Sequence, residues 1–259
     1  MYLGNMPLVT TPAIILHAFR YADTSKIVRL ATREHGVQSA IAKGASRPKS
    51  RFGASLQVLS QGTAHLYFRP TAELQTLSAF DVAEQRPALA HDLGRYAAAS
   101  AVAELMLRCA PSEPHPALFD LVGAQLDRLA AVPVPRVATA ALAGLWAMVT
   151  ALGFAPTVTA CVRDDCALDE GAVGFSVPDG GFLCGRCTRE RTTTVLEAPD
   201  RQALEQLLEG SDELPAGWTR RHATAHRQLL ARFIEHHLAE GHPLKALEFW
   251  ETAAWNGTS

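Results

Sequence analysis

Four of the five cysteines, Cys161, Cys166, Cys184 and Cys187, fall in the pattern C-x4-C-x17-C-x2-C. Thiolates are soft ligands, and four of them can close a tetrahedron around Zn2+ with no position left open for catalysis. The interval between the pairs carries Asp164, Asp165, Gly171, Gly174, Gly180 and Gly181, so it reads as a turn-rich ribbon rather than a helix. Such a ribbon is too small to fill a core, and the metal is expected to supply much of its folding energy. Unliganded thiols are one competing reading; the other is two disulfides. They conflict with a stretch from Met1 to Leu8 that has no basic block and no cleavage site, unlike a secretory signal. One structural Zn2+ per chain is therefore expected. Cys109 closes a helical run and reads as a buried small apolar residue.

A second chemistry lies in Ala42-Lys43-Gly44-Ala45-Ser46-Arg47-Pro48-Lys49-Ser50-Arg51-Phe52-Gly53. Lys43, Arg47, Lys49 and Arg51 can neutralise backbone phosphates, while the glycines and Ser46 and Ser50 bring main-chain N–H groups close to them. Binding of this kind ignores base sequence and weakens steeply with salt. Arg20, Lys26, Arg29 and Arg33 add the same sign nearby. The competing reading is a solvated loop that keeps its module soluble. Aromatic side chains that could stack on bases are few in this region: Phe19, Tyr21, Phe52, Tyr67 and Phe68. Most of them read as core.

The charge distribution supports the phosphate reading. The 259 residues carry 24 Lys+Arg and 26 Asp+Glu, a net charge of −2. Residues 1–80, however, hold nine cations and three acids, for +6, which leaves −8 on residues 81–259. Asymmetry of this size points to a polyanion-binding module.

The periodicity changes at the same boundary. Short β-branched runs at Ala13–Tyr21, Lys26–Thr32, Gly36–Lys43, Leu56–Gln61, Thr63–Arg69 and Glu73–Asp81 alternate with turn signals. They predict a small, closed or nearly closed barrel. After Arg86-Pro87 the apolar residues recur at helical spacing, first through Met106 and then over about Ala117–Ala130, Val137–Leu152, Pro199–Glu209 and Thr219–Glu240. Pro243–Trp250 reads as a last short turn. Val137 to Ala155 has no charged residue, but it is rich in Ala, Gly and Thr, and a buried core helix is expected there rather than a membrane span.

Enzyme signatures are absent. Leu183, not Pro, precedes Cys184, and no His-x-Glu lies upstream, as a zinc deaminase requires. There is no Walker A run, no His-Glu-x-x-His and no Gly-x-Ser-x-Gly. His222 and His226 lie four apart on a predicted helix and read as a solvent-facing pair, with Arg220, Arg221, Arg227 and Arg232 around them. That basic stripe is open to two readings, a second binding surface or a wet helix face.

Phe19-Arg20-Tyr21-Ala22-Asp23-Thr24-Ser25-Lys26-Ile27-Val28, Thr32-Arg33-Glu34-His35-Gly36 and the run Ala42 to Gln57 together resemble the N-terminal half of the bacterial RecO family. The resemblance implies an α+β protein: an N-terminal OB-fold β-barrel over 1–81, an all-α domain over 82–157 and 193–259, and a small four-cysteine, zinc-ribbon-like insertion over 158–192. It further implies a cytoplasmic, nucleoid-associated mediator without catalytic residues. Such a protein binds single- and double-stranded DNA, anneals complementary strands, and acts with RecR to load RecA onto strands coated by single-stranded-DNA-binding protein, whose acidic C-terminal tail is a further partner. The four-residue gap between Cys161 and Cys166 departs from the tighter first pair common in zinc-bearing members. An RNA-binding or transcription-associated adaptor is the alternative, because phosphate contacts do not read the 2′-OH.

Overall fold

The structure, a computed structural model, describes residues 7–190, 193–211, 213 and 217–252. The Met1–Met6 part of the N-terminal reading and the last two residues of the expected insertion lie outside the described residues. The chain divides into two compact units, Met1–His91 with Ala103–Ala130, and Asp92–Val102 with Ala131–Ser259.

In the first unit, β1 (Leu8–Tyr21), β2 (Ser25–Thr32), β3 (Gly36–Ala42), β4 (Gln61–Tyr67) and β5 (Leu74–Glu84) close a barrel in the order β1-β2-β3-β5-β4. All pairs are antiparallel except β3 with β5. Alternation sends Ala13, Ile15, Val28, Leu30, Ala40, Ala42, Ala64, Leu66, Leu77 and Phe80 inward, where they form the core. A register shift between Ile15 and His17 changes the phase of β1. Beyond it Ala18 packs against the core, while His17, Phe19 and Tyr21 are exposed.

Two expectations are corrected. β1 begins at Leu8, five residues before the expected start at Ala13. Pro12 is accommodated because pairing with β2 starts only at Ala13. Leu56–Gln61 is not a strand; only Gln61 belongs to β4. Turn bonds from Ser55 N–H to the Phe52 carbonyl and from Ser60 N–H to the Gln57 carbonyl curl the segment, and Leu56 and Leu59 are buried as stoppers rather than alternating.

Arg86 follows β5 and is almost wholly enclosed, its side chain 2% exposed. Its Nε donates to Asp127 Oδ1 at 2.6 Å, Nη1 to the Leu59 carbonyl at 3.2 Å, and Nη2 to Gln61 Oε1 at 2.8 Å and the Gly123 carbonyl at 3.4 Å. Asp127 and Gly123 lie on α3 (Pro116–Ala131), so one guanidinium fastens this helix to the barrel. Position 123 has little room for a side chain, since a Cβ there would sit 3.1 Å from Gln61 Oε1.

The short α1 (Pro87–His91) leads into α2 (Leu93–Cys109). Cys109, the last residue of α2, is half-buried rather than buried, and desolvation pushes its thiol up. In the second unit α4 (Val137–Ala151) is buried along most of its length, with Leu142, Leu145, Trp146, Met148 and Val149 fully enclosed, as a core helix requires. Around it are β6 (Val173–Ser176), β7 (Gly181–Leu183), α5 (Gly185–Arg189), β8 (Thr194–Leu196), α6 (Ala198–Leu208), α7 (Arg220–His237) and α8 (Lys245–Thr252). An aromatic chain links them: Trp146 meets Phe233 edge-on at 5.2 Å, Phe233 meets Phe175 at 6.1 Å, and Phe175 meets Phe182 at 5.9 Å.

The expected solvent-facing histidine pair is corrected as well. His222 caps the start of α7 by accepting the Thr219 N–H, whereas His226 is 1% exposed and lies 3.3 Å from Asp200. Trp218 packs against both rings. Arg227, read as part of a wet stripe, is buried with its guanidinium over the Trp250 ring. This side of α7 meets α6 and α8, a contact that no local pattern announces. Arg220, Arg221 and Arg232 remain on the surface.

These buried groups have measurable effects on stability. Arg86→Ala is expected to cost about 3 kcal/mol in urea unfolding, since it orphans two buried carbonyls, and Arg86→Lys should not restore the loss because an ammonium lacks the fork. Burial holds the His226 imidazole below its ordinary value of 6.5, against the opposing pull of Asp200. The unfolded chain therefore binds the proton more readily. Stability present above pH 6.5 should fall as pH drops below it, and His226→Gln should flatten that part of a melting-temperature profile.

Candidate metal centre and candidate nucleic-acid interface

The sulfur atoms of Cys161, Cys166 and Cys184 and a carboxylate oxygen of Asp164 lie within 4.8 Å of one another. Cys187 Sγ adjoins the same group, 3.5 Å from Asp164 Oδ2. Local chain geometry explains the convergence. Asp165 adopts a left-handed φ of 54°, and its N–H donates to the Cys161 carbonyl while Cys161 N–H donates to the Cys166 carbonyl. This knuckle folds the four-residue gap back on itself, so both sulfurs face one point despite the wide spacing. On the other side Cys184 is the N-cap of α5, and the two intervening residues place Cys187 in its first turn. Val162 N–H donates to the Phe182 carbonyl and ties the knuckle to β7.

The electrostatics suit a cation. Thiols of Cys161 and Cys166, then Arg186, hold the Asp164 carboxyl well below the usual carboxylate range. The Cys187 N–H lowers the Cys184 thiol. Cys166 is pushed up to about 12, chiefly by Asp164, and Cys187 up to about 12, chiefly by desolvation. A divalent cation among these donors would favour the thiolate forms that burial and Asp164 disfavour, and soft sulfur donors in a tetrahedral-sized cluster fit zinc. Sequence reasoning missed Asp164, which reads there only as a turn residue; its place between the first two cysteines is the available signal.

The β6–β7 hairpin does not depend on the cluster alone. Phe175 and Phe182 are fully buried on its other side, and Gly181 is needed there because a Cβ would sit 2.3 Å from the Thr157 carbonyl. Metal is expected to supply much of the ribbon's folding energy, and aromatic packing on this side contributes as well.

The second candidate is the end of the barrel where β1 turns into β2 and β3 ends. Arg20 pairs in register with Lys26, and Lys26 with Ala42, so these cations adjoin Lys43. The basic loop is ordered there. Ser46 N–H donates to the Thr24 carbonyl at 2.8 Å, successive turn bonds join Arg47 to Gly44, Ser50 to Arg47 and Gly53 to Ser50, and Ala45 and Phe52 are buried against the barrel core. Lys43, Arg47, Lys49 and Arg51 stay exposed, with the Arg51 guanidinium over the Phe52 ring. Among the described residues none of Arg20, Lys26, Lys43, Arg47, Lys49 and Arg51 forms an ion pair.

The eight cations singled out from sequence do not form one cluster. Six gather at this end. Arg29 stands mid-strand on the outer wall, opposite His17 and Ser39. Arg33 lies past the far end of β2, where Asp120 accepts from its Nε at 3.0 Å and from its Nη2 at 2.9 Å. That pairing holds Asp120 below the usual carboxylate range and raises Arg33. Of the aromatic residues, Phe52 alone is core; Phe19 and Tyr21 are exposed.

A closed five-strand OB-like barrel followed by helices that carry a thiol cluster defines a two-part protein with a cationic barrel end. The family model described as Recombination protein O N terminal matches residues 6–86, and that described as Recombination protein O C terminal matches residues 90–248. The chain is 37% identical over 254 residues to the DNA repair protein RecO of Anaeromyxobacter dehalogenans strain 2CP-C, covering 94% of this chain and 96% of that protein. It is 34% identical over 202 residues to the DNA repair protein RecO of Bacillus subtilis strain 168, covering 78% and 77%. The chain belongs to the RecO family of DNA repair and recombination proteins.

Proposed function

We propose that this protein is a non-enzymatic mediator that binds single- and double-stranded DNA and anneals complementary strands. The observation that carries this reading is the ordered, unpaired cationic end of the barrel, in a chain of the RecO family. Arg20, Lys26, Lys43, Arg47, Lys49 and Arg51 hold phosphates, and Arg29, apart from them on the outer wall, adds a further cation; Arg33 is left out of this set because Asp120 occupies it. Neutralising two strands lowers their repulsion, and contacts that ignore sequence let them slide into register. Family membership supports the remaining partners: RecR, the C-terminal tail of single-stranded-DNA-binding protein, and RecA, loaded indirectly. It also supports a place in the cytoplasm, at the nucleoid.

Cys161, Cys166, Cys184 and Cys187 are proposed to hold one structural Zn2+, with Asp164 as a carboxylate neighbour of the same centre. When bound, the ion would brace the knuckle and the start of α5 against each other. The closed donor set favours this structural role over catalysis.

Replacing Lys43, Arg47, Lys49 and Arg51 together with Ala should weaken DNA binding and flatten the log–log salt slope by roughly 2–4 units. An unchanged slope would show that the loop is only solvated. Annealing of complementary oligonucleotides, with and without RecR, reads the proposed activity directly. For the centre, elemental analysis should give one zinc per chain, lost in Cys184→Ser, with proteolysis then opening the knuckle before the aromatic side of the hairpin. Metal-free protein from cells grown with ample zinc would refute it.

A further inference from the structure

The thiol cluster brings together more donors than a tetrahedral ion uses. Zn2+ takes four. Five converge here: the sulfurs of Cys161, Cys166, Cys184 and Cys187, and the carboxylate of Asp164. Asp164 is not at the margin of the group. Its Oδ2 lies 3.8 Å from Cys184 Sγ and 3.5 Å from Cys187 Sγ, and a carboxylate oxygen is within 4.8 Å of the Cys161 and Cys166 sulfurs as well. Sulfurs on Zn–S bonds of about 2.3 Å stand about 3.8 Å apart in a tetrahedron. Cys161, Asp164, Cys166 and Cys184 thus already make a four-donor set of nearly that size, without Cys187. The wide gap between the first two cysteines is what admits the carboxylate. The Asp165 N–H closes the knuckle on the Cys161 carbonyl, and the residue before it comes to face the sulfurs. Arg186 completes the arrangement. It stands between Cys184 and Cys187 on α5, is itself 70% exposed, and donates from Nη2 to Asp164 Oδ2. A carboxylate that ligates a metal through one oxygen is steadied by a hydrogen bond on the other, and Arg186 is placed to give that bond.

We infer that Asp164 and Cys187 are interchangeable fourth ligands of the centre, so that zinc stays bound when the Cys187 thiolate is withdrawn. The inference rests on the structural-zinc reading above and goes beyond it by ranking the donors. Cys161, Cys166 and Cys184 belong to both four-donor sets and are indispensable; Cys187 is not. Zinc accepts carboxylate oxygen as well as thiolate sulfur. Each of the two exchanging groups carries one negative charge, so the exchange leaves the charge of the centre unchanged. Arg186 acts as a positioning residue that keeps Asp164 turned towards the sulfurs. The knuckle and the N-cap of α5 then remain joined through Cys184 while the first turn of α5 is released from the metal.

The test is a set of substitutions in the full-length protein, read by elemental analysis and by zinc X-ray absorption. Cys161→Ala, Cys166→Ala and Cys184→Ala should each lose the metal, whereas Cys187→Ala and Asp164→Ala should each keep one zinc per chain. The double variant Cys187→Ala/Asp164→Ala should lose it. Absorption spectra should show four sulfurs in the wild type, and in Cys187→Ala three sulfurs with one oxygen at about 2.0–2.2 Å. In the Cys187→Ala background, Arg186→Ala should weaken zinc binding by about 10–100-fold against a competing chelator, and in the wild type it should have no such effect. Cys187→Ser, closer in shape to the native side chain, is run beside Cys187→Ala, and loss of zinc from both overturns the inference. Zinc retained in the double variant overturns it as well, because water rather than Asp164 then fills the fourth position. If the wild-type protein itself holds no zinc, the structural-zinc reading fails first; if it holds zinc and the Cys187 variants do not, only the exchange fails.

Discussion

The enclosed guanidinium of Arg86 sets what the first unit can be. The barrel core mixes alanines with Ile15, Leu30, Leu66, Leu77 and Phe80, and its end near Leu59 needs a cover. Four hydrogen bonds from one side chain attach α3 there, using two backbone carbonyls that would otherwise be buried without donors. Arginine is required because its planar fork can reach a carboxylate, an amide and carbonyls at once. Asp127 remains partly in water, so the pair avoids most of the desolvation cost of a fully buried ion pair. With one end of the barrel closed in this way, the other carries the basic loop.

The loop and the outer wall of the barrel differ in chemistry. Cations act on phosphates at a distance and do not distinguish strand types, whereas exposed rings act only on groups that lie against them. The barrel register brings the two beside each other, since Arg20 and Phe19 are neighbours in β1 with opposite facing. The bulge after Ile15 makes this possible. Without it Phe19 would point inward, and Ala18 would take its place on the wall.

The barrel was legible in the sequence because its strands alternate and its turns carry Gly, Asp and Ser. The cysteine spacing was legible because metal ligation imposes a chemical pattern. Other features were hidden for particular reasons. Leu56 and Leu59 look like strand residues, since apolar character does not distinguish a plug from a pleat. His226 and Arg227 look wet, since their burial depends on Asp200, Trp218 and Trp250, which come from other elements. Arg33 looks like a phosphate ligand because Asp120 is 87 residues away. Asp164 was hidden for a different reason: a carboxylate in a turn has two uses, and only the folded knuckle selects between them.

The buried side chains of the basic loop have an entropic consequence. Ala45 and Phe52 fix the loop backbone, so its cations are held in place without a ligand. A disordered basic arm carrying the same charges would have to surrender conformational freedom on contact. A preformed loop avoids most of that cost, and more of the attraction between its cations and any polyanion is left as affinity.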